Sequence, residues 1–342
     1  MEEKLTSTVR AATISEVAAL AGVSIGTASK ALNGRGTLRP ETRQRVREAA
    51  DHLGFVANAA ARSLQTGRTY TVGMITTDSI GRFSIPLMIG AEDALGAGQV
   101  SVFLCDARDD PIREQYYLRT LLSRQVDGII VTGRRTQARP PVGAALPVPV
   151  VYAFISSTDP QDCSVVPDES DGARRAVEHL IATGRRRIAH VTGPEHHNSA
   201  TVRAAATLQT LAAAGLEPAA PVLFGEWSEA WGRQAAGILL SSGADVDAVF
   251  CGSDQIARGV AEAVREAGRD IPGDVALVGF DNWDVMVDAC RPALTSVDMD
   301  LEGIGRAAAE LLLAAINGEP VHGKQARPCR LVPRASTAVH LL

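Results

Sequence analysis

Hydrophobic residues along the chain follow two different patterns, and the change between them falls near residue 70. Before this point, apolar side chains recur every three or four positions in short segments, which is typical of amphipathic helices. After it, short apolar runs alternate with longer helical patterns, which is typical of βαβ units around a parallel sheet. The pattern predicts a small helical region followed by a doubly wound α/β region.

Two short helices joined by a tight turn are predicted in the helical region. Thr13 and Glu16 have the spacing of a capping box, which opens the first helix. Gly22 ends that helix, because glycine readily takes a positive φ. Ser24 is the expected N-cap of a second helix that runs from 25 to about 32. This arrangement indicates a helix-turn-helix.

A third helix is predicted from Pro40 to Leu53, with proline in its first turn and Gly54 as its stop signal. Beyond residue 70, the apolar runs predict strands at 71–75, 100–105, 128–131, 148–152, 187–192, 248–251 and 275–279. The helical patterns between and after them predict helices at 85–96, 112–124, 171–183, 200–214, 229–241, 254–267 and 301–316. In such a fold, ligands are expected at the carboxyl ends of the strands.

Composition narrows the class of protein. The chain has 342 residues, of which 46% are hydrophobic and 21% charged, so it is expected to form two or three ordinary globular domains. No stretch is long and apolar enough for a membrane span, and the N terminus is polar, so we expect a cytoplasmic protein without membrane contact. The five scattered cysteines predict reduced thiols rather than disulfides or a zinc ribbon.

Charge is distributed unevenly along the chain. Residues 1–70 contain ten Lys or Arg and six Asp or Glu, a net charge of +4, whereas the whole chain has a formal net charge of −5. The remaining residues therefore carry −9. A basic head on an acidic body is typical of a DNA-binding protein with a separate sensing domain, because only the head has to neutralise phosphates.

Several motifs resemble the LacI/GalR family of bacterial transcription regulators. In the head they are Ile14-Ser15-Glu16-Val17-Ala18, Ala21-Gly22-Val23-Ser24, Ala31-Leu32-Asn33, Glu41-Thr42-Arg43, Leu53-Gly54-Phe55 and Ala61-Arg62-Ser63-Leu64. The resemblance continues less densely to about Thr337, through motifs such as Gly279-Phe280-Asp281-Asn282 and Arg291-Pro292-Ala293-Leu294. It implies a helix-turn-helix headpiece followed by the two-lobed α/β fold of periplasmic sugar-binding proteins.

The resemblance also implies a division of the chain. The DNA-binding head is expected at 1–57, a hinge helix and linker at 58–69, and the effector-binding and dimerisation domain at 70–342. Within that domain, lobe 1 is expected at about 70–164 and 297–326. Lobe 2 is expected at about 165–296 and 327–342.

Candidate DNA contacts follow from the matching positions in the head. Ile25, Gly26 and Lys30 match the base-reading positions, and among them Lys30 has a side chain that donates to a guanine edge. Phosphate contacts are expected from Thr13, Ser24, Thr27 and Asn33. In the hinge, the resemblance implies a helix that includes Asn58, and it implies that Leu64 wedges into the minor groove and bends the duplex.

Candidate effector contacts are Asp281, Trp227 and Arg203, with Asp168, Phe83, Ser253 and Asp254 as secondary candidates. A carboxylate suits sugar hydroxyls, and an aromatic ring suits a sugar ring. Arg82 has two interpretations, a residue that favours an anionic effector or a solvated surface side chain. His196 and His197 are expected to be loop residues rather than metal ligands.

The expected function is a homodimeric transcriptional repressor that binds a near-palindromic operator in double-stranded DNA. A small molecule between the lobes, expected to be a sugar or sugar derivative, controls its operator affinity. A nucleobase or protein co-repressor remains an alternative effector. An exported solute-binding protein is a less favoured alternative, since it would have an export signal and would lack a helix-turn-helix. An enzyme is not expected, since the sequence contains no P-loop, no G-x-S-x-G motif and no metal-ligand cluster, and no cofactor is expected.

Overall fold

A computed structural model describes residues 12–32, 36–55, 67–96 and 100–337 of the chain. The chain divides into two compact units, and the division falls between Thr69 and Tyr70. We call the first unit the head and the second the body. Within the parts of the chain that the structure describes, no helix has the length and apolar character to cross a membrane.

The described residues of the head form three helices, α1 (Ile14–Ala21), α2 (Ile25–Leu32) and α3 (Pro40–His52). The predicted capping box is confirmed, because the Thr13 side chain accepts from the backbone N–H of Glu16 while the Glu16 carboxylate accepts from the backbone N–H of Thr13. Gly22 has φ 63° and ends α1 in the left-handed region, as predicted. A small core of valines and alanines joins the helices: Val17, Ala18, Ala21, Ala28, Ala31, Val46, Ala49 and Ala50. Small side chains allow these short helices to pack closely, and the helix-turn-helix prediction is confirmed.

The part of the body that the structure describes forms two six-stranded sheets and one two-stranded sheet. The first has the order β13-β7-β5-β3-β1-β2 and is parallel throughout. Its strands are β1 (Thr71–Thr76), β2 (Ser101–Asp106), β3 (Gly128–Val131), β5 (Val150–Ala153), β7 (Cys163–Asp168) and β13 (Gly323–Pro328). Helices α4 (Ser84–Leu95), α5 (Pro111–Ser123) and α11 (Leu301–Ile316) pack on it. We call this assembly lobe 1.

The second sheet has the order β14-β12-β11-β10-β8-β9, and only the β12–β14 pair is antiparallel. Its strands are β8 (Ile188–Thr192), β9 (Leu223–Phe224), β10 (Ala248–Cys251), β11 (Ala276–Phe280), β12 (Thr295–Asp298) and β14 (Arg330–Val332). It packs with α6 (Glu169–Ala182), α7 (Asn198–Ala213), α8 (Glu229–Ser241), α9 (Asp254–Glu266) and the short α10 (Asp284–Val287). We call this assembly lobe 2. The two-residue strands β4 (Ala138–Arg139) and β6 (Ser156–Ser157) pair with each other.

The chain passes between the lobes three times, after β7, after β12 and after β13. Each crossing lies a few residues beyond the boundary expected from the resemblance. Two hydrophobic clusters hold the body together. One runs through lobe 1 and into lobe 2, and the other fills lobe 2 alone. The predicted parallel strands and long helices of the body are present with small shifts at their ends, so the doubly wound prediction is confirmed.

The body strands that the sequence pattern missed are the ones that lack a clear apolar run. The polar segment of β13, which reads Gly-Lys-Gln-Ala-Arg-Pro, is largely exposed and is a strand because it pairs in parallel with β7. Strand β7 is buried, but its serine and proline interrupt the apolar pattern. Because a strand that completes a sheet edge is defined by its neighbour, its own sequence carries little signal.

Candidate DNA-binding and effector sites

Helix α2 exposes the side of the head that the sequence singled out. Ser24, Ile25, Gly26 and Lys30 are exposed, while Ala28 on the opposite side of the helix is buried in the head core. An exposed helix face opposite its packing face is what insertion into the major groove requires.

Two hydroxyl-bearing residues of the head, Thr13 and Ser24, combine capping with exposure, and a third, Thr27, is half-buried beside Ser24. The Ser24 hydroxyl accepts from the Thr27 backbone N–H at 3.1 Å and lies 2.9 Å from the Thr27 hydroxyl. Thr13 caps α1 in the same way. Hydroxyls at helix N-termini are well placed for phosphate contacts, because the adjacent backbone N–H groups favour anions. The predicted contacts Asn33, Asn58 and Leu64 lie outside the described residues.

A cavity of about 310 Å³ lies between the lobes of the body. Its walls combine charged, polar and aromatic side chains from both lobes. Lobe 1 contributes Asp78, Ile80, Arg82, Phe83, Arg134, Arg135, Thr136 and Phe154, and lobe 2 contributes Glu169, His197, Ser199, Arg203, Glu226, Trp227, Ser253, Gln255, Asp281 and Trp283. A concave site with aromatic walls and a few convergent polar groups is the usual form of a small-molecule site.

Lobe 2 provides a buried charge cluster at this cavity. The Arg203 guanidinium donates to the Glu169 carboxylate at 2.6 Å and lies 3.9 Å from the Asp281 carboxylate. The side chains of Arg203, Glu169 and Asp281 are only 5%, 5% and 7% exposed. Burial raises the pKa of Asp281, and the guanidiniums of Arg82 and Arg203 oppose that rise.

The backbone at Asp281 has an unusual conformation. Its φ is 108° and that of Asn282 is 51°, values that side-chain-bearing residues rarely adopt. The conformation is held by two hydrogen bonds, from the Asp281 N–H to the Val297 carbonyl at 2.8 Å and from the Asn282 N–H to the Ser296 hydroxyl at 3.0 Å. Strained backbone of this kind concentrates at functional sites, where it positions a side chain.

Arg82 is not a solvated surface residue, so that interpretation of the sequence is wrong. Its side chain is 13% exposed and forms an ion pair with Asp281 across the cavity. It also donates to the Gln255 side-chain carbonyl at 3.2 Å. The guanidinium lies over the rings of Phe83 and Trp283, at 4.9 Å and 4.6 Å from their centroids. Since its charge is already paired, Arg82 is not a free cation for an anionic effector.

Aromatic side chains form the remaining walls. The indole N–H of Trp227 donates to His197 Nδ1 at 2.8 Å, and the Arg203 guanidinium lies 5.8 Å from the Trp227 ring centroid. In lobe 1, Phe83 stacks on Phe154 with centroids 4.8 Å apart. The cavity therefore has aromatic surfaces on both sides.

Two of the predicted effector contacts do not line the cavity. The Asp254 carboxylate faces the protein interior, where it accepts from the Trp283 N–H at 2.8 Å and from the Ser296 hydroxyl at 2.5 Å. Burial, followed by the charge of Asp281, raises the pKa of Asp254 to about 8. The Asp168 carboxylate instead caps α6 by accepting from the Asp171 N–H at 2.9 Å. Both side chains support the site from behind, whereas Asp281, Arg203, Trp227, Phe83 and Ser253 meet at it.

Several cavity residues escaped the sequence analysis. Glu169 follows the candidate Asp168 directly, and Trp283 lies two residues after the candidate Asp281. Proximity to a candidate in the sequence could therefore have identified both residues. Thr136 carried no such signal, because its position depends on a loop of lobe 1 meeting Glu169 of lobe 2 at 2.7 Å. Among the described residues, no group of three or more His, Cys, Asp or Glu side chains could hold a metal ion.

A helix-turn-helix head joined to a two-lobed body with an interlobe cavity defines a class of DNA-binding regulators with a sensing domain. Comparison with known proteins agrees. Residues 13–58 match the lacI family of bacterial regulatory proteins, and residues 177–337 match the periplasmic binding protein-like domain. The chain belongs to the lacI family, and it is a transcriptional regulator rather than an enzyme.

Relatives align over nearly their full length. The transcriptional regulator CelR of Thermobifida fusca is 34% identical, covering 94% of this chain and 96% of the relative. Catabolite control protein A of Priestia megaterium is 33% identical, covering 95% and 99%. Among solved structures, the CelR–cellobiose complex has a TM-score of 0.65 at 31% identity, covering 95% of this chain and 99% of that one. A lac repressor dimer bound to operator and the anti-inducer ONPF has a TM-score of 0.73 at 27% identity, covering 96% and 100%.

Proposed function

We propose that this protein is a repressor whose affinity for its operator is controlled by a sugar or sugar derivative bound in the interlobe cavity. The observation that carries the proposal is the convergence of Asp281, Arg203 and Trp227 on one cavity. A carboxylate accepts from sugar hydroxyls, a guanidinium donates to them, and an indole ring packs on the apolar face of a sugar ring. The cellobiose complex of the relative CelR supports this effector class.

The head supplies the DNA contacts in this proposal. The exposed face of α2 enters the major groove, where Lys30 donates to a guanine edge, Ile25 packs on a thymine methyl, and Gly26 brings the backbone close to the bases. Thr13, Ser24, Thr27 and Asn33 contact phosphates and set the register. Asn58 and Leu64 belong to the proposed hinge, in which Leu64 is the minor-groove wedge. Such a protein works in the cytoplasm, where bacterial DNA is accessible.

A homodimer supports this mode of binding, because two heads related by a twofold axis read a near-palindromic site. We place the dimer surface on lobe 1, because several large apolar side chains are exposed there. Its exposed apolar side chains are Ile80, Ile85, Ile89, Phe103, Leu104, Ile112 and Tyr116. Most lie along the edge strand β2 and the helices that flank it, and large exposed apolar surfaces mark association sites. A solved lac repressor relative is a dimer on its operator.

The DNA part of the proposal is tested with duplexes selected from a random library by the full-length protein. We expect near-palindromic sequences and a strong loss of affinity with rising salt. Lys30→Ala should relax the preference at one base pair in each half-site, with a discrimination loss of about 1–3 kcal/mol. Lys324→Ala, an exposed lysine of the body, is the control and should leave binding unchanged. A uniform loss of affinity with Lys30→Ala would assign Lys30 to phosphate instead.

The effector part is tested by measuring affinity for the selected operator in the presence of a carbohydrate panel that includes cellobiose. Coupling free energies of about 1–3 kcal/mol correspond to a 5- to 150-fold change in operator affinity. Trp227→Ala should abolish the response without changing binding in the absence of sugar. A response to nucleobases alone would replace the sugar by a nucleobase co-repressor, and no response to either would remove the small-molecule proposal while leaving the DNA-binding function.

A further inference from the structure

Arg82 holds the position that a ligand of Asp281 would occupy. One oxygen of the Asp281 carboxylate pairs with Arg82, and the other lies 3.9 Å from Arg203. A sugar hydroxyl that donates to the Arg82 side of this carboxylate therefore has to replace the guanidinium. In this structure, the residue proposed to recognise the effector is already bound by the protein itself.

The contact between Arg82 and Asp281 joins residues of different lobes. Arg82 lies in the loop between β1 and α4 of lobe 1, whereas Asp281 follows β11 of lobe 2. The loop is fixed at the N-terminus of α4, where the Asp78 carboxylate accepts from the Phe83 N–H at 2.7 Å and the Ser84 N–H at 3.0 Å. An ion pair between these residues therefore joins the two lobes across the cavity.

The ion pair extends into a continuous polar chain that begins and ends in lobe 1. Thr136 of lobe 1 donates to Glu169, which accepts from Arg203, and Arg203 lies beside Asp281, the partner of Arg82. Two guanidiniums and two carboxylates give the chain no net charge. Charges removed from water are costly unless they are paired, and in this arrangement of the lobes each charge of the chain has a partner of opposite sign.

We propose that Arg82 is an internal competitor for the effector. It closes the cavity by occupying Asp281, and an effector that uses Asp281 has to displace it. This inference rests on the proposed function for the assignment of Asp281 as an effector contact. Displacing Arg82 costs free energy, because its hydrogen bonds and its stacking on Phe83 and Trp283 are lost. Only a ligand that replaces these contacts recovers that free energy, so Arg82 is a specificity-determining residue.

The closing role is tested without any effector, by hydrogen–deuterium exchange of the backbone around residues 77–83, 253–256 and 281–283. Arg82→Ala should raise exchange in all three segments at least threefold. Asp281→Asn should raise exchange at least as much, and adding Arg82→Ala to Asp281→Asn should change nothing further, since the Arg82–Asp281 contact is already broken. Arg233→Ala is the matched control, because it removes an arginine–glutamate pair that lies within lobe 2. Unchanged exchange in Arg82→Ala would overturn the proposal.

Chemical rescue provides the second arm. Methylguanidinium added to Arg82→Ala should bind saturably, restore protection and raise the melting temperature, whereas the Arg82→Ala/Asp281→Asn double variant should not respond. Absence of rescue in the single variant would show that Asp281 does not hold a guanidinium in solution. Both readouts are independent of operator binding.

The affinity for an effector shows whether Arg82 competes with the effector or contacts it. For any sugar that binds the wild-type protein, a competitor role predicts about tenfold tighter binding to Arg82→Ala, measured by calorimetry. Weaker binding would show that Arg82 contacts the effector, and the competitor role would be wrong. If no sugar binds either protein, the proposed effector class fails, whereas exchange and rescue still decide whether Arg82 closes the cavity.

Discussion

The two lobes share one packing plan but present different surfaces. In lobe 1, α4 and α11 meet through Gly90 and Gly305, and a Cβ built on either glycine would overlap a backbone carbonyl of the other helix. In lobe 2, α8 and α9 meet in the same way through Gly232 and Gly259. Close backbone approach needs glycine in both cases.

The surfaces of the lobes diverge around this common plan. Lobe 1 exposes a row of large apolar side chains along β2 and its flanking helices, whereas lobe 2 buries the Arg203, Glu169 and Asp281 charges beside the cavity. In the proposed function, lobe 1 serves association and lobe 2 recognises a polar ligand. Four changes test this division, ordered by their expected effect on the free energy of unfolding.

Arg203→Ala should have the largest effect. It leaves the buried Glu169 carboxylate without its guanidinium partner, and breaking a buried ion pair in this way costs about 3–5 kcal/mol. Denaturant unfolding of the purified protein measures the loss. Arg265→Ala, which removes an exposed ion pair of lobe 2, should cost no more than about 1 kcal/mol. Equal losses for the two variants would mean that burial of the Arg203 pair does not matter.

Gly232→Ala should have the next largest effect. Its added methyl group would overlap the Ile256 carbonyl, so α8 and α9 have to separate, at a cost of about 1–3 kcal/mol. Gly237→Ala on the same helix is the matched control, because nothing lies within 4 Å of its Cβ position. The control should stabilise the protein by up to about 1 kcal/mol through helix propensity. Thermal unfolding of both variants checks the opposite signs.

At low pH, where both side chains are uncharged, Asp254→Asn should have a smaller effect than Gly232→Ala, and its effect depends on pH. The folded-state pKa of Asp254 is raised to about 8, so the folded protein retains a proton that the unfolded chain loses near its ordinary pKa. The stability contribution is therefore complete at low pH and declines as pH rises towards 8. Asparagine carries no such proton. The variant should gain stability relative to wild type with rising pH, by at most about 1.4 kcal/mol per pH unit.

Chemical denaturation at pH 5, 6, 7 and 8 measures this dependence. A stability difference between Asp254→Asn and wild type that stays constant over the range would show that Asp254 is ionised in the folded protein. A difference that grows as pH falls would contradict the sign of the shift.

Phe103→Glu should have the smallest effect on folding and a large effect on assembly. Phe103 is 42% exposed on the edge strand of lobe 1, so its replacement should change the unfolding free energy by less than about 0.5 kcal/mol. A charge at the centre of the proposed dimer surface should nevertheless weaken dimerisation, measured by analytical ultracentrifugation. Leu208→Glu, at a position that is 40% exposed in lobe 2, is the control. If Leu208→Glu dissociates the dimer and Phe103→Glu does not, the dimer surface lies on lobe 2.

The sequence by itself determined the features that depend only on residues close together in the chain. The capping box at Thr13, the turn at Gly22, the helix stop at Gly54 and the parallel strands of the body all follow from side-chain chemistry or periodicity within a few residues. It also determined the candidates Asp281, Arg203 and Trp227, through motifs that the family resemblance made recognisable. These features need no knowledge of distant parts of the chain.

Only the tertiary structure decided which residues face each other across the cavity. Arg82 and Asp281 are separated by 199 positions in the sequence, and Thr136 and Glu169 belong to different lobes. Likewise, β13 is a strand because it pairs with β7, and Asp254 turns inward because Ser296 and the Trp283 backbone receive it there. The physical reason is the same throughout: ion pairing, strand pairing and desolvation depend on what the fold brings within a few ångströms, and a linear pattern does not record that distance.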